Sequence, residues 1–164
     1  MAGNRQAHYF LLAFAAVFLL ITFKGLKAMQ PGDENVYYYM GSLVSEGKIP
    51  YKDFFFAHPP LQIYLIGFIY RIFGFNIVLL KLIPLTSILI AAFFVFKIAK
   101  KFGNSEAVTA SLLFLFSYSV MFNSVFSFGI ELAAMFLVTG AYLLFNKNNY
   151  LLSGLFFGLA GVTR

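Results

Sequence analysis

Residues 107–164 contain one acidic side chain, Glu131, and residues 7–23 carry no formal charge. Uncharged apolar runs of this length constrain the fold more than any other feature. A helix needs about 20 predominantly apolar residues to cross a hydrocarbon core, and in lipid every backbone polar group must be satisfied within the structure. Soluble domains carry roughly 25% charged residues; here the share is 11%, against 61% hydrophobic. A soluble fold of this size has no room to hide so much apolar surface. The sequence therefore predicts an all-α, multi-pass membrane protein.

The same composition excludes other classes. There is no cysteine, so disulfides and thiolate metal sites are ruled out. Two histidines, His8 and His58, are too few for a histidine-rich metal site. The net charge of +6 invites a nucleic-acid reading, but the lysines sit at the ends of apolar runs rather than on one basic face; nucleic acid is not an expected partner. The first apolar run follows Arg5 and is followed by Lys24-Gly25-Leu26-Lys27, not by a small-residue cleavage site. It reads as a retained membrane helix.

Six apolar segments appear, at 7–23, 59–75, 77–99, 107–122, 130–146 and 150–164. Lysine and arginine in short loops stay cytoplasmic. Arg5, the Lys97, Lys100 and Lys101 cluster, and Lys147 all fall inside only if segment 59–75, which is short and interrupted by Arg71, does not span. The expected module, 1–164, thus has five spanning helices and an outer-face loop, 24–76, carrying juxtamembrane helices. The N-terminus is expected in the cytoplasm; Lys24 and Lys27 on the outside run against the rule. Within the loop, Pro31-Gly32 marks a turn, Asp33 is placed to cap a helix from 34 to about 45, and Gly47 is placed to stop it. A polar turn around Asn123-Ser124 and Ser127-Phe128-Gly129 separates two later helices.

A few polar residues are candidates for chemistry, each with a plainer role beside it. Asp33-Glu34 offers carboxylates that take a proton from an incoming hydroxyl, or a helix start favoured by the dipole. His58, in His58-Pro59-Pro60-Leu61, offers a donor to a phosphate, or is a loop residue before a proline-started helix. Glu131 is an ionisable group near membrane depth, or an interfacial helix-start carboxylate. Lys48, Lys52, Arg71 and Lys81 offer cations for a lipid phosphate, or snorkel to the headgroups. Gly154, Gly158 and Gly161 form a small-residue stripe that reads as a helix-packing face.

The order Asp33-Glu34, Tyr38, Leu43, Gly47, Pro50-Tyr51, Asp53, His58-Pro59-Pro60-Leu61 and Phe73-Gly74 resembles the N-terminal part of GT-C-type glycosyltransferases. The nearest likeness is to the protein O-mannosyltransferase and lipid A aminoarabinose transferase group. Lys81-Leu82-Ile83-Pro84 stands where that family often has an Arg-Leu-Pro-Ser-like stretch. Lys100-Lys101-Phe102-Gly103, the acidic Glu131 and the closing run from Gly154 to Arg164 continue the resemblance over nearly the whole chain.

The resemblance implies a partial GT-C fold and an inverting transferase. Such an enzyme moves a sugar from a polyprenyl phosphate, such as dolichyl or undecaprenyl phosphate, to a hydroxyl on a protein, lipid or glycan, at the extracytoplasmic face. Asp33 would be the general base and Glu34 would support it. Glu131 would orient the acceptor or a divalent metal; no cofactor is otherwise implied. His58 and Arg164 would contact the donor phosphate, joined by Lys52 and Arg71 from the outer-face cations read above. Membrane lipids are expected partners, in the cell membrane or, in a eukaryote, the endoplasmic reticulum. Family enzymes run to several hundred residues and about a dozen membrane helices, so a longer chain or a second polypeptide is expected to complete the bundle. Two other readings stay open: a non-catalytic subunit that binds lipid-linked sugars or a truncated inactive product, and a transporter fragment. Mid-helix charges would favour the transporter, whereas these gather near helix ends.

Overall fold

The computed structural model describes residues 2–29, 32–126 and 129–164, the first three without side-chain detail. Pro31 of the expected first turn, and Ser127 and Phe128 of the expected polar turn, lie outside the described residues. The described residues are helical, with α1 (Ala2–Thr22), a 3-10 turn (Phe23–Lys27), α2 (Asp33–Ser45), α3 (Leu61–Phe73), α4 (Ile77–Ala99), α5 (Asn104–Leu115), α6 (Tyr118–Asn123), α7 (Ile130–Lys147) and α8 (Tyr150–Gly161). Their one β-bridge joins Pro50 and Phe54 in the loop. The architecture is an all-α membrane protein. Three helices are long and apolar enough to cross a bilayer, Arg5–Lys27, Ile77–Ala99 and Ile130–Lys147. Large apolar side chains such as Leu20 and Leu151 stand exposed, as a lipid-facing surface requires.

Helix α4 is the central element, in contact with α1, α3, α5 and α7, while α8 packs on α7 and α3 on α2. Its start is fixed by Asn76, whose side chain accepts from the N–H groups of Val78 and Leu79. Pro84 lies inside it and is buried. Proline removes the donor that the Leu80 carbonyl would have had; one turn further on, Thr86 donates to the Leu82 carbonyl and Ser87 to that of Ile83, local back-bonds of the kind that accompany a bent helix.

The segment 107–122, expected as one helix, bends instead. Ser117 is extended (φ −64°, ψ 144°) and its hydroxyl donates to the Phe114 carbonyl. This local bond competes with helix continuation and separates α5 from α6. The small-residue stripe also differs from its reading as a packing face. A Cβ added at Gly154, Gly158 or Gly161 meets nothing within 4 Å, and α8 instead docks through Ser153, whose hydroxyl donates to the Gly140 carbonyl at 2.8 Å.

The helices sort their polar ends. Asn146 at the end of α7 donates to the Lys97 carbonyl, and Lys101 donates to that of Phe145. Ala7 and Leu11 of α1 cluster with Phe96 and Ala107 at this same end. The opposite end holds α2, the loop to Pro60, and both ends of α3: its start meets Gly129 through Gln62, and Phe75 beyond its end packs on Tyr38.

Candidate active site

Helix α2 begins after Gly32, whose φ of 111° suits glycine. Gly32 therefore holds the N-cap position expected of Asp33, and Asp33 is the first residue of the helix. The two carboxylates that follow diverge, because successive helical residues point about 100° apart. Asp33 is exposed, whereas Glu34 is fully buried. Glu34 takes an ion pair from Lys81 at 3.2 Å and a hydrogen bond from the Tyr38 hydroxyl at 2.9 Å. Lys81 is itself fully buried in α4, donates to the Val125 carbonyl at 2.8 Å and lies over the Phe126 ring at 5.2 Å. It is not the snorkelling or phosphate-seeking cation of the sequence reading. In an apolar interior a paired charge lies lower in free energy than a lone one, and Glu34 supplies the pairing.

The second cluster forms around Tyr37, one turn beyond Asp33 and on the same helical stripe. Tyr37 is 5% exposed. Arg164 donates to its hydroxyl at 3.3 Å. The His58 ring approaches it edge-on at 6.0 Å and Phe56 at 5.8 Å. The His58 carbonyl accepts from the Tyr51 hydroxyl; Tyr51 is a non-glycine residue at φ 68°, held by the turn that also presents Lys52 as an exposed cation.

Residues Val162 and Arg164 are brought to this cluster. The N–H of Leu61, an orphan donor at the start of α3, is satisfied by the Val162 carbonyl just past α8 at 3.1 Å. This bond holds Arg164 close to the His58 segment. Gly129, at φ 82°, opens α7 beside Gln62: a Cβ there would fall 2.5 Å from Gln62 Oε1. Glu131 follows, 2% exposed, and neither carboxylate oxygen has a hydrogen-bond partner among the described residues. The Thr163 carbonyl oxygen lies 3.5 Å from the Cβ position of Gly129, so the residue before Arg164 packs beside the start of this helix. With Gln62, Ile66, Ile83, Pro84, Gly129 and Leu132, Glu131 lines a cavity of about 10 Å³, room for about one water.

Of the sequence candidates, His58, Arg164 and Glu131 thus converge, with Asp33 one turn from Tyr37 and Lys52 on the rim. Glu34 is drawn into the Lys81 pair. Arg71 lies about 13 Å along α3 from Gln62, at a rise of about 1.5 Å per residue; it lines a separate cleft of about 360 Å³ with Lys48, Tyr64 and Phe68. Among the described residues no group of three or more His, Asp or Glu side chains is placed to hold a metal ion. A single buried carboxylate is a poor donor set for a divalent cation. Tyr37 and Gln62 escaped the sequence reading, and Gly129 was read only as part of the polar turn before α7. The signal for Tyr37 was its spacing of four from Asp33.

A family model described as dolichyl-phosphate-mannose-protein mannosyltransferase matches residues 57–164. The match takes in His58, Arg71, Glu131 and Arg164 and begins after Asp33, Glu34 and Lys52. No curated protein and no solved structure matches the chain. The match spans about two thirds of the chain and covers α3 to α8 of the bundle described above. The chain belongs to the dolichyl-phosphate-mannose-protein mannosyltransferase family, a GT-C-type glycosyltransferase family.

Proposed function

We propose that this chain forms the N-terminal module of an inverting glycosyltransferase. It takes a sugar from a polyprenyl phosphate and passes it to a hydroxyl of a protein, lipid or glycan at the extracytoplasmic face. Asp33 accepts the proton of that hydroxyl. The oxygen attacks the anomeric carbon from the face opposite the phosphate, the C–O bond to phosphate breaks, and the polyprenyl phosphate departs with the bonding electron pair. His58, Arg164 and Lys52 stabilise the phosphate as its charge develops, and Glu131, whose buried oxygens line the water-sized cavity, orients the acceptor from there. Helices α5 with α6, and α8, cross the bilayer beside the three longer spans. Arg71, with Lys48, serves a more distant headgroup contact.

The reading is supported most by one juxtaposition. An exposed carboxylate, Asp33, stands one turn from Tyr37, on which His58 and Arg164 converge from two other elements. A base near a cation and a further hydrogen-bond donor is what transfer from a phosphate donor requires. The test is transfer of labelled sugar from a polyprenyl-phosphate donor by the full-length enzyme in membranes. Asp33→Asn should lower the rate at least about 100-fold with normal insertion. Near-wild-type transfer by that variant would remove Asp33 from the mechanism.

A further inference from the structure

We infer that Lys81 is a positioning residue that ties the two acidic positions of the site into one rigid unit. The inference rests on the proposed roles of Asp33 and Glu131 and goes beyond them. Lys81 is the fifth residue of α4, in a run that is otherwise apolar from Ile77 to Leu85. Its ammonium has three donors, and three acceptor atoms lie around it. Glu34 Oε1 is 3.2 Å away, Glu34 Oε2 3.3 Å and the Val125 carbonyl 2.8 Å. All of them are buried, so the ammonium has nothing left to offer a lipid phosphate.

The two tethers run to different elements. Glu34 is the residue next to Asp33 in the first turn of α2, and its second contact, from Tyr38, fixes the rotamer that meets Lys81. Val125 belongs to the segment between α6 and α7, four residues before the Gly129 that opens the helix of Glu131. The aromatic face of Phe126 closes over the ammonium, and a Cβ at Gly25 would meet the Val125 side chain at 2.8 Å, so Val125 is held on a further side by the turn after α1. Loops carry little rigidity of their own. Lys81 fixes Glu34 and Val125 to α4, and Ile83 and Pro84 of that same helix line the cavity with Glu131; the buried charge therefore sets the spacing between the base-bearing turn and the helix against which Glu131 is held. Small misplacements of reacting groups cost rate rather than affinity.

The experiment uses the full-length enzyme in membranes, with donor KM and kcat measured separately. Residues 1–164 hold no cysteine, so spin labels are introduced at Asn35 and Ser119, both exposed, and their distance distribution is recorded. Lys81→Met should lower kcat on the order of 100-fold, leave donor KM within about threefold and broaden the Asn35–Ser119 distribution, while Lys81→Arg should recover most of both. A raised donor KM with kcat and distances unchanged would make Lys81 a phosphate ligand and overturn the inference. If Lys81→Met does not accumulate, Lys81→Met with Glu34→Gln removes the pair without stranding a charge; an unbroadened distribution in that variant also overturns it. Failure of the base assignment is seen separately, as undiminished transfer by Asp33→Asn with the distances intact.

Discussion

At the residue scale, two adjacent carboxylates have opposite fates. Asp33 is exposed and Glu34 is enclosed with Lys81. Removing one partner of a buried ion pair leaves an uncompensated charge and costs about 3–5 kcal/mol. Losing an exposed first-turn carboxylate costs only a dipole interaction of under about 1 kcal/mol. Thermal unfolding in detergent should accordingly show Glu34→Gln strongly destabilised and Asp33→Asn close to wild type; equal shifts would contradict the pairing. Glu131 presents the converse case. Its buried oxygens have no partner among the described residues, a condition that costs about 1–3 kcal/mol. Glu131→Met should therefore unfold at the same temperature or higher while transfer falls, and a clear loss of stability would mean that the carboxylate is structurally engaged. The sequence marked Asp33, Glu34 and Glu131 as the polar exceptions in an apolar chain. It did not separate the exposed carboxylate from the paired one, because the partner of Glu34 lies 47 residues away and lone lysines near helix starts also snorkel.

At the scale of elements, glycines decide which helices come close. A Cβ at Gly41 would fall 2.2 Å from Ile66 Cγ2, and one at Gly67 2.6 Å from Val44 Cγ1, so α2 and α3 cross nearly backbone to backbone. Overpacking of this kind costs about 1–3 kcal/mol. Gly67→Ala should lower the unfolding temperature and reduce transfer, since α2 carries Asp33. Gly154→Ala, with open space at its Cβ, should shift stability by less than about 0.5 kcal/mol. The opposite ranking in a thermal-unfolding series would show that the close crossing is wrong. Hydropathy located helix 77–99 with both its ends, because Asn76 caps it and Lys97–Lys101 close it. It ran through Ser117, since a side-chain bond to the preceding turn leaves no trace in hydropathy. It favoured the visible stripe at Gly154, Gly158 and Gly161 over Gly41, Gly67 and Gly140, which are isolated in sequence and meet their neighbours only in three dimensions.

At the scale of the molecule, the chain divides its polar residues between two ends. One end gathers Asp33, His58, Glu131 and Arg164 around Tyr37 and Gln62; the other gathers Lys97, Lys101 and Asn146. Helix α3 begins and finishes at the first end, and this geometry accommodates the lysine pattern with one apolar segment that does not cross. A lipid-linked donor reaches a site at the membrane boundary, so the side of the bilayer on which the first end opens decides which acceptors it meets. Side-selective thiol labelling in intact cells tests this arrangement most directly, with single cysteines placed at Asn35 and at Lys100 of the full-length enzyme. The cysteine at Asn35 should react with a membrane-impermeant reagent from outside, and the one at Lys100 only after permeabilisation. Labelling of Lys100→Cys from outside, with Asn35→Cys protected, would contradict it.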